Sequence, residues 1–374
     1  MEVLIAGDFV LQNRPLRLLE SGDYSFLDPI REITADYKVL NFESSLTDGD
    51  YPPIKKKGIA IKSPSSSVIA LKYADVSCVT LANNHFMDYG KPGYEDSVRL
   101  FSQAGIDFVG AGHNLEEATR PLIKRIGAYD IAIINCCEHE FSIATDDNPG
   151  CNPLNIIPLY NQIKELRGKV NYVFMIIHGG FEHFPYPSPR MIDTYRFFID
   201  AGADCVINHH QHCFCGYELY NGKPIFYGLG NLIFDSSFKE KNSFYEGYMV
   251  RFSIDEGISF ELIPYYQCKE DVIFRLLNKS EQGSFGSRIG ALNSVLLNRE
   301  DYDLIIREYK QSHVYKNNIV LTPYVTRIGK SLYQRHLLPG LFKGPRAMSL
   351  YNNVMCESHL ERLQWLLEYT LGKN

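Results

Sequence analysis

Several polar residues of this chain share one setting: each follows a short apolar run. Asp8 comes after Val3–Ala6 and Gly7, Asn41 and Glu43 after Val39-Leu40, and Asn84 and His85 after Val76–Leu81. His178 ends the run Tyr172–Ile177, and Cys205–Ile207 leads into Asn208-His209-His210-Gln211-His212. Taken singly, most have ordinary explanations. Asp8 after a glycine suits a turn or helix cap, Glu43 a surface carboxylate, Asn83-Asn84 a left-handed turn, and His85 a structural role. His178 is harder to explain that way. A buried strand ending in imidazole and Gly179-Gly180 implies a close approach by another part of the chain. His210-x-His212 places two imidazoles where both reach a metal ion or a metal pair. Carboxylate, amide carbonyl and imidazole together suit divalent ions such as manganese, iron or zinc. Two such ions would clamp a phosphoryl group and lower the pKa of a water between them. His85, beside Asn84, is then placed to protonate a leaving oxygen.

These residues need elements that bring them together. The first two-thirds of the chain alternates short apolar runs with amphipathic segments such as Tyr94–Gln103, Pro158–Arg167 and Ser188–Asp200. That alternation predicts an α/β fold with a largely buried sheet, and such sheets gather ligand sites beyond the carboxyl ends of their strands. Ile225–Tyr227, Tyr248–Ile254 and Ile258–Ile263 read as consecutive strands of a second sheet, with a turn at Asp255-Glu256-Gly257. Beyond about residue 270 the pattern turns helical: Val272–Leu277, Ser287–Asn298, Tyr302–Gln311 and Glu357–Leu371, with glycines and prolines breaking 329–345. The expected organisation is a domain over 1–265 and a helical C-terminal extension over 266–374.

Composition narrows the function classes. The chain has 374 residues, 45% of them hydrophobic and 22% charged, and a net charge of −6. That balance gives no electrostatic reason to expect nucleic acid. No window reaches the length of a membrane span, and Met1–Asp8 lacks the pattern of a signal peptide. The expected location is therefore the cytoplasm. Nine cysteines without a CxxC pair fit buried small hydrophobes in a reduced compartment. Cys213 and Cys215, just past His212, are read in the same way. Lys55-Lys56-Lys57 and Lys62, between the Glu43 and Asn84 motifs, suit either a solvated loop or an anionic ligand. The aromatic stretch Phe181–Tyr195 could wall the site.

The ordered set Gly7-Asp8, Asn41-Phe42-Glu43, Asn83-Asn84-His85-Phe86-Met87-Asp88-Tyr89-Gly90, His178-Gly179-Gly180-Phe181-Glu182, His209-His210-Gln211-His212 and Gly228-Leu229-Gly230-Asn231 resembles CapA-type proteins. These form the poly-γ-glutamate capsule-synthesis branch of the calcineurin-like metallophosphoesterase superfamily, and the resemblance covers roughly residues 1–265. It implies a two-sheet α/β/β/α sandwich with a dinuclear metal site. It implies metal ligation by Asp8, Glu43 (as the bridging residue), Asn84, His178, His210 and His212, with His85 as general acid oriented by Asp88. Asn41, Lys62, Glu182, His209 and Asn231 would stand behind the ligands or face substrate. Two features depart from the wider superfamily: Asp8-Phe9-Val10 lacks the histidine of an Asp-x-His motif, and glutamate replaces the bridging aspartate. Both occur in CapA-type proteins, and they leave one or two metals open. The implied function is a metal-dependent hydrolase linked to capsule or surface-polymer synthesis. The other reading is an accessory protein that binds polymer or metal without turnover. Either way the expected partner is an anionic small molecule or polymer.

Overall fold

The computed structural model describes residues 1–56, 58–236, 242–255, 257–317 and 344–370. The strands that build the two large sheets are β1 (Glu2–Val10), β2 (Tyr37–Phe42), β3 (Cys78–Thr80), β4 (Asp107–Val109), β5 (Leu122–Ile126), β6 (Tyr129–Cys137), β7 (Tyr172–His178), β8 (Cys205–His209), β9 (Tyr217–Tyr220), β10 (Lys223–Phe226), β11 (Asn231–Phe234), β12 (Glu246–Ile254), β13 (Ile258–Lys269) and β14 (Val272–Leu276). One sheet has the order β14-β13-β12-β1-β2-β3-β4, with β11 also paired to β1. The other runs β9-β10-β8-β7-β6-β5. β1–β4 are mutually parallel, as are β6–β8 and β10, so their carboxyl ends point the same way within each sheet.

Side-chain alternation makes the layers. In β1, Val3 and Ile5 join a core shared with Ile131, Ile133, Phe174, Ile176 and Ile207 of the second sheet. Leu4 and Ala6 point the other way, toward Leu71, Tyr94 and Phe101 of the helices Ser67–Tyr73 and Gly90–Ala104. On the far side Ala132, Ile134, Val173 and Met175 meet Leu159, Ile163, Tyr195 and Phe198 of Ile156–Arg167 and Pro189–Ala201. The result is helix, sheet, sheet, helix, the α/β/β/α order expected. Because both faces of the central strands are covered, their sequences are continuous apolar runs.

Two expectations need correction. Ile225-Phe226 belongs to β10 in the second sheet, whereas β12 and β13 extend the first. The three strands do not share one sheet, and β11 falls between the first two of them in sequence. Val272–Leu276 is a strand paired antiparallel with β13, not a helix. Its alternation of apolar positions is too short to distinguish the two periods. β13 itself runs through residue 265, so the sheet continues past that point. The break at 329–345 lies outside the described residues apart from Gly344 and Pro345.

The helices Lys279–Leu297, Arg299–Asn317, Pro345–Met355 and Glu357–Thr370 follow. They share the cores of the sandwich: Phe285 and Ile289 plug the inter-sheet layer, and Tyr302 and Ile306 join the outer one. Trp365 sits edge-on to Phe181 at 5.4 Å, and Tyr309 stacks on the same ring at 5.2 Å. No helix among the described residues is long and apolar enough to cross a membrane.

Candidate metal centre

The strand ends are shaped to deliver their polar residues to one place. β1 carries a bulge: Ala6 faces Leu40 and Asp8 faces Asn41, with Gly7 between them unmatched. A bulge re-aims the side chain after it. Gly7 is required here, since a Cβ would stand 1.9 Å from the Gly230 carbonyl oxygen. That close crossing sets Asp8 in register with Asn231 of β11. At the end of β8 the chain takes left-handed backbone at His210 (φ 97°) and His212 (φ 54°). Non-glycine residues rarely adopt such angles, and they persist where the surroundings impose them. Here they are imposed by Asn208, whose amide donates to the Gly179 carbonyl and to Gln211 Oε1, and by Gln211, which donates to the Tyr227 carbonyl.

The predicted ligands converge and are all buried. His178 Nε2 lies 3.0 Å from Asn84 Oδ1, 3.0 Å from His210 Nδ1 and 3.5 Å from Glu43 Oε1. His212 Nε2 lies 3.7 Å from Glu43 Oε1, and its Nδ1 lies 3.7 Å from Asp8 Oδ2. Two groups of donor atoms therefore form, Asp8–Glu43–His212 and Glu43–His178–His210, and in each the atoms lie within 4.8 Å of one another. Glu43 belongs to both. Its two carboxylate oxygens are buried with no hydrogen-bond partner among the described residues. Burial and the charges of Asp8 and Glu182 push its carboxyl well above the ordinary range. Burial would also raise Asp8, but His209, His212 and the Asn41 amide hold it below the usual value. Burial and the surrounding imidazoles push His178 far down, which keeps it in the neutral form that ligates metal.

The remaining expected residues divide. Asn41 donates to Asp8 Oδ1 at 2.7 Å, Asn231 Oδ1 meets His212 Nδ1 at 2.8 Å, and His209 Nδ1 lies 3.4 Å from Asp8 Oδ1. His85 Nδ1 meets Asp88 Oδ2 at 2.7 Å, and the Ile61 amide donates to the same oxygen. Burial lowers the His85 imidazole, against the opposing pull of Asp88. Glu182 lines the cavity beside the centre. Lys62 does not reach it: exposed, it donates to the Gly49 carbonyl and lies over the Tyr89 ring. Lys56 is the lysine that does, pairing with Asp88 and donating to the Asn84 carbonyl at 3.2 Å. Nothing in the run Lys55–Lys57 marks its middle member as special, and Lys57 is outside the described residues.

The cavity has a volume of about 470 Å³ and is lined by Asn84, His85 and His212 on its floor. Its wall includes Asn352, His359 and Arg362 from the last two helices. Sequence reasoning missed these, and it missed the anchor that places them. The buried Glu138, one residue past β6, caps the helix Glu357–Thr370 by accepting from the Ser358 amide at 3.2 Å and the Ser358 hydroxyl at 2.7 Å. Arg190 pairs with Glu138 and also bonds Ser358. Glu138 explains Gly179 as well, since a Cβ there would meet Glu138 Cγ at 2.5 Å.

Residues 2–236 match the family described as bacterial capsule synthesis protein PGA_cap. The chain belongs to that family. Among its PGA_cap-like relatives, the capsule biosynthesis protein CapA of Bacillus anthracis is 31% identical over 240 residues, 62% of this chain and 58% of that one. The PGA biosynthesis protein CapA of Bacillus subtilis (strain 168) is 31% identical over 215 residues, 57% of this chain and 56% of the other. A probable polyglutamine synthesis accessory protein of Mycobacterium tuberculosis (strain ATCC 25618 / H37Rv) is 27% identical over 220 residues, 55% and 57% of the two chains. This chain thus spans a little over half the length of these curated relatives. Solved structures with a partial likeness include a putative 5'-nucleotidase from Staphylococcus aureus in complex with alpha-ketoglutarate (TM-score 0.45, 14% identity, 75% of this chain and 56% of that one). A novel phosphatase from Mycoplasma pneumoniae has a TM-score of 0.44 at 15% identity, over 71% of this chain and 92% of that one. The PGA_cap match contains every converging ligand and ends before the helices that wall the cavity.

Proposed function

We propose that this PGA_cap protein is a metal-dependent hydrolase of phosphoester or related bonds that serves capsule or surface-polymer synthesis. The observation that carries this reading is the sharing of Glu43 by two donor groups, with both its oxygens buried and lacking hydrogen bonds among the described residues. A buried carboxylate so placed calls for cations, and the imidazole, amide and carboxylate donors suit divalent transition ions. Asp8, Glu43 and His212 would hold one ion; Glu43, His178, His210 and Asn84 would hold the other. Ions held there would supply Lewis-acid polarisation of a phosphoryl oxygen.

The chain's own residues do the rest. Asp88 fixes Nδ1 of His85 and leaves Nε2 to pass a proton to a leaving oxygen in the cavity. Lys56, tied to Asp88 and to the Asn84 carbonyl, holds that pair against the ligand loop and brings positive charge to the rim. Asn83 fixes the same loop by donating to the Phe42 carbonyl at 2.8 Å while accepting from the His85 amide. An anionic substrate group, monomeric or part of a polymer, would meet Lys56 and Arg362, which line the cavity alongside Glu140 and Glu182.

A second reading has its own support: a relative named a probable polyglutamine synthesis accessory protein, and Val10 where phosphoesterases carry a histidine. In that reading the centre binds polymer without turnover. Metal-loaded protein assayed on p-nitrophenyl phosphate, its bis ester, nucleotides and sugar phosphates separates the two. The hydrolase reading expects metal-dependent turnover that falls by roughly 10²–10⁴-fold in His85→Ala, with metal content unchanged. An inert wild-type protein that still binds an anionic polymer supports the accessory reading instead.

A further inference from the structure

We propose that Glu140, Cys356 and His359 form a separate site for one borderline transition-metal ion, zinc in type, that ties the helix Glu357–Thr370 to the loop after β6. One ligand atom from each of the three lies within 4.8 Å of the others. Their chemistry differs from that of the main centre. Carboxylate, thiolate and imidazole together are a zinc-type donor set, and the residues converging on Glu43 include no sulfur.

Two segments far apart in sequence supply the donors. Cys356 is the hinge residue between the last two described helices, and His359 stands three residues on, so both face the same side of the helix start. Glu140 comes from the loop that also carries Glu138. The docking already described therefore brings the donors together without any metal. Cys356 is buried, and its thiol donates to Glu138 Oε2 at 3.4 Å; on metal binding the thiol proton passes to solvent as the sulfur–metal bond forms. The Asn352 amide lies 2.8 Å from His359 Nδ1, while the Asn352 oxygen is buried without a hydrogen-bond partner among the described residues. Turning that amide over sets its oxygen against Nδ1–H, the usual arrangement behind a ligand histidine. Three protein donors leave a fourth position for water or a ligand, and Glu140 and His359 both line the cavity.

Cobalt substitution tests this, because a thiolate bound to Co²⁺ gives a near-ultraviolet charge-transfer band that oxygen and nitrogen ligands do not. Full-length protein stripped of metal and titrated with Co²⁺ is expected to develop that band, with a final amplitude of one thiolate-bound cobalt per chain. The band should vanish in Cys356→Ser and persist in His212→Ala, which damages only the main centre. No band in the wild type, or an unchanged band in Cys356→Ser, overturns the site. Should the serine variant fail to fold, Glu140→Gln decides: the expected result is Co²⁺ affinity at the thiolate site lowered ~10-fold or more, and unchanged affinity overturns it. Failure of the main centre to bind metal would leave this band intact, so the two readings fail separately.

Discussion

The Glu43 carboxyl is raised by burial first, then by Asp8 and Glu182. In metal-free protein the folded state therefore keeps a proton that the unfolded chain releases near 4.5. Stability then falls as pH rises from that value toward the raised one, because the folded state binds more protons over that window. At neutral pH, Glu43→Gln removes the strain without changing size. Thermal melts of chelator-treated protein are expected to show a higher Tm for Glu43→Gln than for wild type. Added divalent metal should raise the wild-type Tm strongly and the variant's little. A variant destabilised without metal and stabilised by it as well as wild type would remove Glu43 from its central role.

Among the elements, the ends of β1, β2, β7 and β8 are legible in sequence for a physical reason. A strand covered on both faces is an unbroken apolar run, and the first polar residue after it marks the sheet edge. His178-Gly179-Gly180 even announces a close neighbour, although only the structure identifies it as Glu138. What local pattern cannot carry is pairing over long separations. The assignment of β10 and β12 to different sheets, the choice of Lys56 over Lys62, and the meeting of Glu138 with Ser358 all depend on tertiary packing. The Glu138 anchor makes a prediction at this scale. Burial raises its carboxyl, but Arg190, Ser358 and His210 outweigh that and bring it to about 2. A lowered folded value contributes stability above the unfolded value of about 4.5, and that contribution is lost as pH falls toward 2. Glu138→Gln, leaving Arg190 half-compensated by Glu361, is expected to cost about 3 kcal/mol in urea unfolding. Amide exchange in 357–370 should accelerate with it. A variant with wild-type stability and exchange would show that the helix is held by its apolar contacts to Phe181 alone.

For the molecule as a whole, the two sheets place the carboxyl ends of their parallel strands at one edge, and the C-terminal helices close over that edge. The sandwich and its ligands lie within the PGA_cap match, while the cavity wall formed by Asn352, His359 and Arg362 lies beyond it. The candidate centre is thus built from the matched sandwich, and its access is shaped by residues outside that match. The central claim is that Glu43 joins two metal positions. Anomalous diffraction from crystals grown with manganese or zinc tests it directly, because it locates each ion and is indifferent to any other site. The account predicts two peaks at the strand-end edge, one touching Asp8 and His212, the other His178 and His210, with Glu43 in contact with both. A single peak, or a pair that leaves Glu43 uncoordinated, would contradict it.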